Sequence, residues 1–97
     1  MMLVVVAYDV STESDEGVKR LRRVARVCEN RGQRVQNSVF ECLVDAAKWT
    51  RVRADLIAEI DQGDDSLRFY FLGDNWKGRV EHIGAKPSYD PQGTLIV

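Results

Sequence analysis

Residues 3–9, Leu3-Val4-Val5-Val6-Ala7-Tyr8-Asp9, are an apolar, β-branched run that ends on an acid. Such a run predicts a central strand covered on at least one face. The next segment, Ser11-Thr12-Glu13-Ser14-Asp15-Glu16, is polar and rich in residues that start helices. Thr12 with Asp15 three residues on, or Ser14 itself, can cap a first helix. In that helix Val18, Leu21, Val24, Ala25 and Cys28 recur at three- and four-residue steps and form one buried stripe. Gly32 stands where a left-handed C-cap is expected.

From Arg34 to Val44 the period changes to two: Phe40, Cys42 and Val44 point one way, Val39, Glu41 and Leu43 the other. A reversal at Asn37-Ser38 makes this stretch a hairpin. Asp45 is positioned to cap a second helix with apolar positions Trp49, Val52, Leu56 and Ile60. Gln62-Gly63-Asp64-Asp65 reads as a turn, with both acids belonging to it. Ser66 to Leu72 predicts a strand with Leu67, Phe69 and Phe71 on its inner face. After the loop from Gly73 to Gly78, Arg79 to Ile83 predicts a short last strand, and the tail ends in Thr94-Leu95-Ile96-Val97.

This order predicts an α+β fold on the split βαβ, ferredoxin-like plan βαββαβ, with an additional short C-terminal strand. The 97 residues fit a single domain, 1–97, with 79–97 as C-terminal strand and tail. Two helices cover only one face of such a sheet. The apolar opposite face predicts a homodimer, with the tail suited to a partner's sheet edge.

No apolar run approaches the ~20 residues that span a membrane, and Met1 to Ala7 reads as a strand and not a secretion signal. Cys28 and Cys42 fall on apolar faces and match no metal spacing. They are expected as reduced core thiols, which points to the cytoplasm. The net charge of −1 hides an asymmetry. Lys19, Arg20, Arg22, Arg23, Arg26, Arg31 and Arg34 crowd one segment against a single acid, Glu29. Lys19, Arg22, Arg23 and Arg26 lie on the helix face opposite the core stripe. Such a run is either a solvated face or a contact for phosphates. No aromatic motif for stacking bases accompanies it, so the contact expected is with backbone.

Asp9 is the lone acid ending the most hydrophobic strand, where ligands of α/β folds gather. The plainer alternative is an Asx turn closing the strand. One carboxylate does not hold a catalytic metal alone. Mg²⁺ takes one or two carboxylates with waters and substrate phosphate oxygens, so a twofold axis near Asp9 has to bring the second. His82, alone on a predicted edge strand, reads as a surface or interface residue.

Four segments together resemble the Cas2 family of CRISPR-associated proteins. They are Val6-Ala7-Tyr8-Asp9-Val10, Lys19-Arg20-Leu21-Arg22-Arg23-Val24, Arg34-Val35-Gln36-Asn37-Ser38-Val39-Phe40-Glu41 and Asp65-Ser66-Leu67-Arg68-Phe69-Tyr70. Val80-Glu81-His82-Ile83-Gly84-Ala85-Lys86-Pro87 is similar to the subgroup found with type I-C systems. The resemblance implies a ferredoxin-like homodimer and a Mg²⁺-dependent nuclease for RNA or double-stranded DNA. Asp9 from each protomer would be the catalytic metal ligand. It also implies a part in spacer acquisition beside the CRISPR integrase, either as that nuclease or as a noncatalytic DNA-binding adaptor. Arg20, Arg22 and Arg34 would be its functional arginines, joined by Lys19, Arg23 and Arg26 in binding nucleic acid. Phe40 matches the family's functional aromatic, but its position here fits a core or interface residue. A small-molecule regulatory domain on the same fold is a further alternative.

Overall fold

The computed structural model describes residues 2–72 and 80–85; the side chains of Val80 and His82 lie outside that description. The order is β1 (Met2–Asp9), α1 (Asp15–Glu29), β2 (Gly32–Gln36), β3 (Val39–Val44), α2 (Ala46–Glu59), β4 (Ser66–Phe71) and β5 (Val80–Gly84). The strands form one sheet in the order β2-β3-β1-β4-β5, every neighbouring pair antiparallel. This is the expected ferredoxin-like α+β plan with β5 added at one edge. Residues 73–79 and 86–97, which include the expected loop and the segment expected to reach a partner, lie outside the described residues.

Ser14 takes the N-cap, its Oγ accepting the Gly17 N–H at 3.1 Å, and Asp15 and Glu16 come next, where the helix end favours negative charge. Val24 and Cys28 are fully buried beneath the helix. The helix ends at Asn30 in right-handed geometry, so Gly32 is not the left-handed cap. It opens β2 instead, where a Cβ would stand 2.4 Å from the Glu41 carbonyl oxygen. Close approach of two strands, not a positive φ, requires glycine there. The hairpin turns at Asn37-Ser38 with a register shift near Val35.

Period two fixes the sheet's two faces. Val4, Val6 and Tyr8 in β1, Phe40, Cys42 and Val44 in β3, and Leu67 and Phe69 in β4 are buried under the helices. Asp45 caps α2, its Oδ1 accepting the Lys48 N–H at 2.7 Å. Trp49 then meets Phe69 and Phe71 edge-on, with ring centroids 4.8 and 5.4 Å away. Such edge-to-face pairs add about 0.5–1.5 kcal/mol each beyond burial. Both cysteines are free and buried, and burial pushes the Cys28 thiol up to about 12.

The opposite face carries Leu3, Val5 and Ala7 in β1, Val39 and Leu43 in β3, and Arg68 and Tyr70 in β4. No described helix covers it, and Leu43 is 58% exposed.

Candidate nucleic-acid and metal site

Asp9 falls on this open face by alternation, because Tyr8 and Val10 on either side of it are buried toward the helices. It is exposed at the last position of β1. In the β1–β4 register it lies opposite Ser66, and Ala7 lies opposite Arg68. Arg68 is therefore diagonal to Asp9 on the same face, within the roughly 7–8 Å typical of such neighbours. Arg68 belongs to no basic cluster that would single it out in the sequence. The alternation that turns Leu67 and Phe69 inward is the signal that turns it outward.

Among the described residues, no three His, Cys, Asp or Glu side chains group to hold a metal. Asp9 offers a hard oxygen donor of the kind divalent cations take, and among the described residues no group of three such ligands forms around it.

Asp65 differs from the solvated turn acid that its sequence context predicts. Asp64 is exposed in the turn, but Asp65 is fully buried. Its Oδ2 accepts Arg20 Nε at 2.8 Å and the Asp61 N–H at 2.9 Å, and its Oδ1 accepts the Ser11 N–H at 3.0 Å. Burial alone would push this carboxyl up; the Arg20 guanidinium and the two backbone donors outweigh that and hold it below the usual range. The Asp65 carbonyl also accepts the Ala85 N–H at 2.9 Å. Gly84 has φ 127°, and a Cβ on it would stand 1.9 Å from that same carbonyl oxygen. One residue thus ties the β1–α1 loop, α1, the α2–β4 turn and the end of β5 together. Through Ser11 it fixes the chain two residues beyond Asp9.

The structure divides the basic residues. Arg20, with 12% of its side chain exposed, is committed to Asp65. Arg23 bridges Glu59 of α2 at 2.7 Å and Glu16 at 3.2 Å. Arg34 pairs with Glu29 at 3.0 Å, donates to the Asn37 carbonyl at 2.8 Å and lies 4.9 Å from the Phe40 ring centre. Lys19, Arg22 and Arg26 are exposed on α1 and meet no carboxylate among the described residues. Arg22 and Arg34 share the rim of a cleft of about 290 Å³ with Tyr8, Asn37 and Ser38. The Tyr8 hydroxyl donates to the Asn37 carbonyl at 3.3 Å; burial pushes that phenol up, so it stays a donor at neutral pH. Phe40 is fully buried in the core, stacked 6.1 Å from Tyr8.

The family model described as "CRISPR associated protein Cas2" matches residues 2–80. A relative from Chlorobaculum tepidum, named CRISPR-associated endoribonuclease Cas2, is 62% identical and covers 99% of this chain and 100% of its own. A relative from Halalkalibacterium halodurans, named CRISPR-associated endonuclease Cas2, is 58% identical and covers 98% of this chain and 99% of its own. The crystal structure of Streptococcus pyogenes Cas2 superposes with a TM-score of 0.70 at 54% identity, over 86% of this chain and all of that one.

Proposed function

Since the chain belongs to the CRISPR-associated Cas2 family, we propose that it acts in CRISPR adaptation as a homodimeric, Mg²⁺-dependent nuclease. The observation that carries this reading is the place of Asp9: exposed, at the end of β1, on the apolar sheet face that no described helix covers. A second copy packed on that face buries Leu43 and its neighbours and can bring a second Asp9 across a twofold axis. Two ionised carboxylates at one place repel, and a divalent cation relieves that repulsion. When bound there, Mg²⁺ polarises a phosphodiester and activates a water for its hydrolysis. The protein's own part is to hold the cation through Asp9 and to bind the backbone through Lys19, Arg22 and Arg26, with Arg34 at the cleft beside Tyr8.

Relatives named endoribonuclease and endonuclease support hydrolysis of nucleic acid and leave RNA and duplex DNA both as substrates to test. Cleavage of each by the wild type and by Asp9→Asn, with and without Mg²⁺, is the experiment. Loss of a Mg²⁺-dependent activity in the variant is expected; equal cleavage by both proteins sinks the mechanism.

A second reading rests on the single described acid at the strand end, which leaves each protomer only half a metal site. In it the dimer is a noncatalytic adaptor that holds duplex DNA for the CRISPR integrase. Asp9→Asn then still supports spacer integration, which the nuclease reading does not require.

A further inference from the structure

Arg20, Arg23, Arg34 and Arg53 each meet a carboxylate. Arg31, Lys48 and Arg51 meet none among the described residues. These three line one cleft of about 180 Å³ between the end of α1 and the start of α2, with Ala47 completing its wall. The nearest acids in sequence do not neutralise it. Asp45 directs its Oδ1 to the Lys48 backbone N–H as the helix cap, and Asp55, one turn beyond Arg51, forms no ion pair with it.

Local structure gains little from this arrangement. Lys48 sits in the first turn of α2, where the helix end favours an acid; α1 carries Asp15 and Glu16 in its first turn, and α2 has no acid there. Lys48 and Arg51, three residues apart on one helix, repel. Only Arg31, just beyond the C-terminus of α1, is favoured by its helix end. Positive charge collected from two elements and left without counter-charge suits a polyanion whose condensed cations it can release. The residues are exposed, and no buried donor shapes the cleft around a small anion. Repeated phosphates along a polyanion's backbone fit this better than one free phosphate.

We propose that the Arg31–Lys48–Arg51 cleft is a second contact for the phosphodiester backbone of duplex nucleic acid, beside the Lys19–Arg22–Arg26 stripe of α1. The proposal rests on the nucleic-acid reading above and adds to it a surface on α2 that α1 alone does not supply. It requires neither Asp9 nor cleavage.

The test measures binding of a labelled mixed-sequence duplex across a salt series for three full-length proteins. These are the wild type, the cleft variant Arg31→Gln/Lys48→Gln/Arg51→Gln, and the stripe variant Lys19→Gln/Arg22→Gln/Arg26→Gln. Removing one phosphate contact should flatten the slope of log affinity against log salt by about 0.9, so the cleft variant flattens by up to ~2.7 per protomer. Should the triple variant fold poorly by circular dichroism, Arg51→Gln alone is read for a change of about 0.9. A flattened slope in both variants, unaffected by equimolar inorganic phosphate, supports the proposal. A flattened slope in the stripe variant with an unchanged cleft variant overturns it and leaves nucleic-acid binding standing. Competition by equimolar inorganic phosphate through the cleft residues also overturns it, in favour of a small-anion site. Absence of salt-dependent binding by the wild type overturns the underlying reading itself.

Discussion

Asp65 lies just before β4, without solvent exposure, and accepts hydrogen bonds from Arg20, Ser11 and Asp61. Asp9 lies at the end of β1 opposite Ser66, the very next residue, and is open to solvent on the other side of the sheet. A single step in register and a change of face separate an acid that organises the protein from the one we propose as a metal ligand. The buried acid is tied to four parts of the chain, so its value is structural and depends on its charge being met. The exposed acid lies on the sheet face that no described helix covers. Their contrast shows that the same side chain takes its role from the face on which the pleat puts it.

Breaking the buried acid is expected to have the largest effect. Asp65→Ala leaves Arg20 without its partner and two backbone N–H groups without acceptors, which should cost about 3–5 kcal/mol of unfolding free energy. Urea unfolding checks this; a loss below about 1 kcal/mol would place the Arg20 pair among exposed ion pairs of little weight. Asp9→Asn should instead act on catalysis. On the proposed metal-ligand role, the substitution forfeits several kcal/mol of transition-state stabilisation, at least about 100-fold in rate at ~1.4 kcal/mol per decade. Its unfolding free energy should fall far less than that of Asp65→Ala, and paired rate and urea measurements separate the two roles.

Acid sharpens the comparison next. The Asp65 carboxyl is held below its usual range in the folded protein, so its contribution to stability is complete above the unfolded carboxyl's pKa of about 3.9 and fades as pH falls toward the folded value. The wild type should lose stability progressively below about pH 4, with a shallower decline in Asp65→Ala from this group. The smallest effect belongs to the other cross-element pair. Arg53 grips Glu81 at 2.7 and 2.6 Å and fastens β5 to α2, but both side chains are about one-third exposed. The Arg53 guanidinium holds the Glu81 carboxyl below its usual range, giving the same sign of pH dependence. Solvent limits the pair, and Glu81→Gln should cost no more than about 1 kcal/mol in the same urea assay.

Most of the fold is legible in the chain because it arises from near neighbours. The stripe ending at Cys28 gives α1, the alternation through Phe40 gives β3, and Ser14 and Asp45 each bond within their own first turn. Asp65 is less legible because Ser11 and Arg20 lie 54 and 45 residues away. Two local signals do exist. Asp65 shares the parity of Leu67 and Phe69 and so points inward, and Arg20 precedes buried Val24 by one helical turn. Gly32 misled because a glycine after a helix serves a cap or a close strand approach equally well, and only the position of Glu41 distinguishes them. The face that Asp9 takes is not legible in β1 itself, because Leu3 to Ala7 is apolar at both parities and only the burial of Tyr8 and Val10 fixes which side turns inward. The cleft of Arg31, Lys48 and Arg51 is not legible either, since it forms where the end of one helix meets the start of another.

The two buried thiols give this protein a built-in clock for its own opening. Cys28 and Cys42 are shut off from solvent, and with its ionisation pushed up to about 12 the Cys28 thiol offers almost no thiolate while folded. A thiol reagent must therefore wait for the core to part, and its rate counts openings that no catalytic assay sees. Under conditions where reclosing outruns labelling, a loss of about 3 kcal/mol through Asp65→Ala should quicken the reaction by more than about 100-fold. An alkylating reagent applied to the native protein thus becomes a stopwatch on the Asp65 anchor.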